Sequence, residues 1–181
     1  MNRFEPFSVL HLTTVAGLTG MIAVLCLVGR ALRGSAAGRR YEMGLALAVA
    51  ALWLGYQAYD AIHRGFDPHH SLPLQLCDIA ALIAALAFAR PSPALHSLAW
   101  FWGAAIGSQA VFTPDLSGGP ATLSFWAFWL YHLFIVGAGV YAVAVRGFRP
   151  RWNDLKVAVG LGVLWAIAMF AVDAAFDLNY G

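Results

Sequence analysis

Apolar residues occur along the chain in six long runs that are separated by short polar segments. The runs cover residues 9–32, 44–62, 72–88, 95–112, 123–145 and 155–176. Each is close to the ~20 residues that an α-helix needs to cross the hydrocarbon core of a bilayer. Polar and apolar positions do not alternate within the runs, as they do in the strands of membrane barrels. The pattern predicts an all-α, polytopic membrane bundle of six transmembrane helices, with residues 1–181 forming a single domain.

Composition excludes a soluble protein. Of the 181 residues, 61% are hydrophobic and only 11% are charged, and the mean hydropathy is +0.70. Soluble domains carry about 25% charged residues. A chain of this length has no soluble core large enough to hide so much apolar surface, so its solvent is lipid.

The basic residues predict an orientation in the membrane. Nine of the eleven Lys and Arg residues lie in alternate loops, at Arg30, Arg33, Arg39, Arg40, Arg90, Arg146, Arg149, Arg151 and Lys156. Because loops rich in Lys and Arg stay in the cytoplasm, both termini are expected outside. The first run lacks a basic leader and a clear cleavage site, so we expect a span rather than a cleaved signal peptide.

With this orientation, most polar residues of the runs lie near their outer ends, whereas the cytoplasmic halves are almost purely apolar. The outer residues are His11, Gln57, Asp60, His63, Gln75, Cys77, Asp78, Gln109, Thr113, Asp115, His132, Asp173 and Asp177. Ionisable residues at membrane depth usually face a bundle interior or a wet cavity. The sequence therefore predicts a polar pocket in the outer half of the bundle.

Two of these residues suggest nucleophilic chemistry. Pro73 suits the first turn of a helix that Ser71 caps, which places Cys77 about four residues inside, where the helix dipole favours an anion. His132 lies ~12 Å along the axis from Ser124, near the start of the fifth run, so the two side chains could share one depth. Imidazole can take a thiol proton and later return it. The candidates to orient the imidazole are Asp60, Asp115 and Asp173. Spacing alone leaves open that Cys77, like Cys26, is a small packing residue.

Small residues in the fourth run offer a flat face for close helix approach. Gly103 and Gly107 lie four residues apart, with Ala104 and Ala105 between them. Such spacing occurs in helix dimers and in ordinary helix packing. We expect packing within one bundle.

Several motifs resemble a known family. They are LPLQLCDIA at residues 72–80, FWGAAIGSQAVFTPDLSGG at 101–119, Phe125 with His132 seven residues later, RPRW at 149–152, and Asn179 with Tyr180. Together they resemble the YwaF-like bacterial integral membrane proteins, which are similar to eukaryotic transmembrane protein 164.

The resemblance implies an acyltransferase of the bacterial cytoplasmic membrane that acts on ether lysophospholipids or related lipids. It implies that Cys77 is the nucleophile and His132 the base, and that the family pattern continues into a short segment beyond Tyr180. Gln75, Gln109 and Thr113 could then bind the developing oxyanion or a headgroup. Water in place of a lysolipid acceptor would make the protein an acyl hydrolase. No cofactor is expected.

Two other functions fit the residues. Six helices in about 180 residues is also the size of the substrate-capture subunit of a transporter, which would bind a small molecule and need no thiol. The segment HRGFDPHH offers His63, Asp67, His69 and His70 to zinc, but its composition is that of an exposed loop. The basic residues are explained by topology, so no nucleic-acid partner is expected, and no signature of a protein partner is present.

Overall fold

The structure, a computed structural model, describes residues 4–69, 71–116 and 118–180. Its helices are α1 (Val9–Ala31), α2 (Ala36–Arg64), α3 (Leu76–Ala89), α4 (Pro93–Leu98), a π-helical segment (Ala99–Ile106), α5 (Gly107–Phe112), α6 (Leu123–Ala144) and α7 (Trp152–Phe176). α4, the π segment and α5 follow one another without a break, so six helical rods occupy the six apolar runs. No strand occurs in the described ranges, and the all-α prediction is confirmed.

Four of the rods are long and apolar enough to cross a membrane: α1, α2, α6 and α7. α3 has only 14 residues, and the fourth rod changes helix type in its middle. A membrane protein is therefore supported, whereas the count of six spans and the orientation of the termini stay predictions.

The N-terminus of α3 differs from the expected one. The helices α1, α2, α4 and α6 have N-terminal caps made by side-chain oxygens, those of Ser8, Ser35, Ser92 and Thr122. α3 instead begins at Leu76 after Gln75, which makes no capping bond. The predicted start at residue 72, capped by Ser71, is wrong because the Ser71 hydroxyl accepts the Asp67 N–H at 3.0 Å. Cys77 is therefore the second residue of α3.

α6 lies at the centre of the bundle and packs against the π segment, α1 and α3. The closest approach joins α6 to the π segment through glycines. A Cβ at Gly103 would contact the carbonyl oxygen of Ile135, and a Cβ at Gly139 would contact that of Ala99. Gly103 and Gly107 thus pack within one bundle, as expected. α1 and α7 lie at the periphery with most of their surface exposed, which suits helices that face lipid.

Gly103→Ala is expected to lower the free energy of unfolding by about 1–3 kcal/mol, the usual cost of overpacking. The new methyl group meets a backbone carbonyl, which yields less readily than a flexible side chain. Thermal unfolding in detergent micelles measures the effect. Gly160→Ala is the control because nothing lies within 4 Å of its added Cβ. Equal melting temperatures for the two variants would show that the π segment and α6 separate without cost.

A buried ion cluster lies at the end of the bundle that holds the start of α2 and the ends of α3 and α6. The sequence had predicted this end to be almost purely apolar. Glu42 is only 5% exposed, and its carboxylate accepts the hydroxyl of Tyr141 at 3.1 Å and also binds Arg146. Arg39 lies 3.5 Å from the same carboxylate and donates to the carbonyl of Ala89 at 2.8 Å. These contacts join α2 to α6 and to the end of α3. The second apolar run begins at residue 44, after Glu42, so the hydropathy pattern gave no sign of this cluster.

Candidate functional site

A cavity of about 670 Å³ lies between α2, the start of α3, the end of α5 and α6. Its described lining includes these polar and aromatic residues: Trp53, Tyr56, Gln57, Asp60, Gln75, Cys77, Asp78, Thr113, Asp115, Ser124, Phe128, Tyr131 and His132. Three carboxylates and no Lys or Arg belong to that lining. Eight residues singled out in the sequence meet here: Gln57, Asp60, Gln75, Cys77, Asp78, Thr113, Asp115 and His132.

The thiol and the imidazole face each other in this cavity. Sγ of Cys77, in the first turn of α3, lies 3.7 Å from Nε2 of His132 on α6. His132 is 4% exposed, whereas Cys77 is half-buried. A ligand in the cavity could therefore reach the sulfur while the imidazole stays shielded.

The protonation pattern of His132 follows from its second contact. Nδ1 lies 2.8 Å from the carbonyl oxygen of Phe128, one turn earlier in α6. A carbonyl only accepts hydrogen bonds, so Nδ1 carries the hydrogen of the neutral ring. Nε2 is then the acceptor, and it is the atom that faces the thiol. This is the tautomer that a general base requires.

At Nδ1 of His132, the atom that an orienting carboxylate was expected to hold, the partner is therefore a backbone carbonyl. Asp60 and Asp115 line the same cavity as the imidazole. Asp173 binds the backbone N–H of Tyr180 with both carboxylate oxygens, at 3.0 and 2.9 Å.

Asp78 ties together the helices that carry the pair. Its Oδ1 accepts the indole N–H of Trp53 on α2 at 3.1 Å and the hydroxyl of Tyr131 on α6 at 3.0 Å. Asp78 follows Cys77 directly, and Tyr131 directly precedes His132. The bond between Asp78 and Tyr131 therefore lies beside the pair and fixes α3 against α6 at its level.

Sequence reasoning missed the other five polar and aromatic lining residues, which are Trp53, Tyr56, Ser124, Phe128 and Tyr131. A usable signal was present, because the α2 lining residues Trp53, Tyr56, Gln57 and Asp60 follow the i, i+3, i+4, i+7 spacing of one helix face. The α6 lining has the same spacing, at Ser124, Ala127, Phe128, Tyr131 and His132. Aromatic residues on an apolar helix look like packing residues, so the stripe was overlooked.

Four predicted pocket residues do not belong to the described lining: His11, His63, Gln109 and Asp173. His11 is 1% exposed; its Nδ1 accepts the N–H of Phe7 and its Nε2 donates to the carbonyl of Val111, both at 2.8 Å. His63 is exposed, and its Nδ1 donates to the carbonyl of Tyr59 at 2.9 Å. The Gln109 side chain is exposed. His11 thus ties the start of α1 to α5.

The start of α3 leaves two donors beside the thiol. The N–H of Asp78 donates to the carbonyl of Gln75 at 2.9 Å. Among the described residues, the N–H groups of Leu76 and Cys77 have no hydrogen-bond acceptor. The first N–H groups of a helix point out of its N-terminal end and favour negative charge there. They could bind an oxyanion that forms beside Sγ.

The zinc hypothesis names His63, Asp67, His69 and His70, of which the structure describes the first three. No group of three or more His, Cys, Asp or Glu side chains able to hold a metal forms among the described residues. Asp67 accepts the backbone N–H of His69 at 2.9 Å through Oδ1, as in a local turn. His70, the fourth residue of the proposed set, lies outside the described residues.

A family model described as the TMEM164 family matches residues 6–181, which is nearly the whole chain. No curated protein and no solved structure matches the chain.

Proposed function

The chain belongs to the TMEM164 family, and on that premise we propose that it is an integral membrane enzyme that transfers or hydrolyses the acyl groups of lipids. Cys77 is the nucleophile and His132 the base. The observation that carries the proposal is the contact between Sγ and Nε2 at 3.7 Å. The hydrogen on Nδ1, held by the carbonyl of Phe128, supports it because it leaves Nε2 free to accept the thiol proton.

The reaction has two halves. In the first, Nε2 takes the thiol proton while Sγ attacks the carbonyl carbon of a lipid ester. The tetrahedral intermediate expels the alcohol oxygen, which receives that proton from Nε2, and an acyl thioester remains on Cys77. In the second, Nε2 takes the proton of a lysolipid hydroxyl or of water, whose oxygen attacks the thioester. The sulfur leaves and recovers the proton from Nε2.

The oxyanion of both intermediates requires donors close to Sγ. The N–H groups of Leu76 and Cys77 supply them at the N-terminus of α3. The Gln75 side chain lines the same cavity and adds donors for the oxyanion or for a headgroup. The Thr113 hydroxyl also lines it, but donates its hydrogen to the carbonyl of Gln109 at 3.0 Å. Removal of one donor of this kind typically costs 10²–10³ in rate. Gln109, the third predicted donor, lies outside the described lining.

The short α3 supports a site within the outer leaflet. Its 14 residues give a length of ~21 Å, below the ~30 Å of a hydrocarbon core. His132 lies ~13 Å along α6 from its first residue. In the proposed arrangement all six rods span the bacterial cytoplasmic membrane, with both termini outside. Cys77 then lies below the outer surface, where a lipid ester can reach it from the side.

Intact-protein mass spectrometry tests the proposal after incubation with a membrane lipid extract. We expect one acyl group on the wild-type protein, released by neutral hydroxylamine as thioesters are. The adduct is expected to persist in Cys26→Ala, which removes a thiol of the packed core, and to be absent in Cys77→Ala. An adduct that persists in Cys77→Ala would refute Cys77 as the nucleophile.

A second candidate is the capture of a small molecule without catalysis. The cavity volume of about 670 Å³ lies within the ~300–1,000 Å³ that ligand pockets occupy. Capture requires no proton transfer between Cys77 and His132. Tight binding of a small solute by a Cys77→Ser variant, without acylation of the wild type, would favour this function.

A further inference from the structure

The segment that leads into α3 is held by α7 and the residues after it. Residues 71–75 join the preceding loop to Cys77, and we call them the lead segment. The Leu72 N–H donates to the hydroxyl of Tyr180 at 2.9 Å. The same hydroxyl donates to the carbonyl of Pro68, just before the lead segment. The carbonyl of Leu74 accepts the indole N–H of Trp165, on α7, at 3.2 Å.

Tyr180 is itself fixed in place. Asp177 ends α7 in the left-handed conformation, with φ of 55°, and turns the chain back. The N–H of Tyr180 then donates to both carboxylate oxygens of Asp173, at 3.0 and 2.9 Å. Tyr180 is only 5% exposed. Its hydroxyl therefore contacts the lead segment from a buried and anchored ring.

This support substitutes for a helix cap. α3 has no side-chain cap, because Gln75 makes no capping bond. Where α3 begins, and hence where Cys77 points, depends on the conformation of the lead segment. α7 contributes no residue to the described cavity lining, yet Trp165 and Tyr180 hold two of the five residues that precede the first turn of α3.

We infer that Tyr180 is a positioning residue for Cys77, which it holds against His132 by fixing the lead segment. The inference rests on the proposed function, since it concerns the same pair. It assigns a role to a residue 103 positions away from the thiol (180 − 77). Tyr180 acts through the backbone at Leu72 and does not touch the reacting atoms.

A double-mutant cycle on thiol reactivity tests the inference without lipid substrate. In a Cys26→Ala background Cys77 is the only thiol, and the measured quantity is its rate constant for alkylation by iodoacetamide. With Tyr180 present, His132→Ala is expected to slow alkylation about tenfold or more, because the base is lost. With Tyr180→Phe, the slowing caused by His132→Ala is expected to shrink about fivefold, the effect of about one hydrogen bond.

Tyr41→Phe is the matched control. Its hydroxyl also donates to a backbone carbonyl, that of Leu25 at 3.1 Å, but between α2 and α1. It is expected to leave the His132 effect unchanged. Trp165→Phe removes the other bond to the lead segment and is expected to act like Tyr180→Phe, so the inference stays testable if one variant does not fold.

The outcomes separate this inference from the proposed function. An undiminished His132 effect in both Tyr180→Phe and Trp165→Phe would overturn the inference. No His132 effect with Tyr180 present would overturn the Cys–His pair and the inference together. The third outcome is a His132 effect that shrinks in Tyr180→Phe, in a protein that lipid never acylates. It would overturn the proposed function, yet still support the role of Tyr180.

Discussion

His132→Ala is expected to lower the rate of Cys77 acylation by about a thousandfold, while the protein still folds. General acid–base catalysis by a positioned side chain contributes typically 10²–10⁴-fold. In the proposed reaction His132 has that role in both halves, which the contact between Nε2 and Sγ and the hydrogen on Nδ1 support. The rate is measured by the time course of the intact mass during incubation with lipid.

Two comparisons make the result specific. His63→Ala removes an exposed imidazole that does not belong to the described cavity lining, and it is expected to keep the wild-type rate. Imidazole added to His132→Ala is expected to restore part of the rate, because it fits the space that the side chain leaves. Acylation of His132→Ala at more than about a tenth of the wild-type rate would contradict a role as base.

The helices could be predicted because lipid imposes a simple rule on each of them. A spanning helix must be apolar over ~20 residues, and that rule acts locally. It placed α1, α6 and α7 to within about three residues of their observed ends. It failed at the start of α2, which begins at Ala36, eight residues before the second apolar run, because a helix can continue into polar residues outside the hydrocarbon. It also failed at the start of α3, because the turn at Ser71 and the contacts of Tyr180 override the local preference of Pro73 for a first turn.

The site could be predicted only in part. Hydropathy and charge placed Cys77 and His132 at one level of the bundle, but their contact depends on how α3 and α6 pack. The orienting group was missed because every helical residue offers its carbonyl, so no side-chain pattern singles out that of Phe128. Asp78 was seen as a polar pocket residue, whereas its role as a link between α2 and α6 depends on two aromatic partners.

That link predicts the second large effect. Asp78→Ala is expected to lower the acylation rate by about a hundredfold and the free energy of unfolding by about 2 kcal/mol. The loss in stability follows because the indole N–H of Trp53 and the hydroxyl of Tyr131 lose their acceptor, and an unpaired buried donor costs about 1–3 kcal/mol. The loss in rate follows because α3 is no longer fixed to α6 beside the pair. Thermal unfolding and the acylation time course measure the two quantities.

A set of variants separates the two effects. Asp78→Asn keeps an oxygen that accepts both bonds, so it is expected to retain most of the stability and rate. The triple variant Asp78→Ala, Trp53→Phe, Tyr131→Phe removes acceptor and donors together, which is often nearly neutral for stability. It is expected to regain most of the lost stability but not the rate, because nothing then holds Cys77 at its distance from His132. A triple variant that recovers both stability and rate would show that Asp78 only accepts the hydrogen bonds of its neighbours. The contact of sulfur and imidazole would then depend on packing alone.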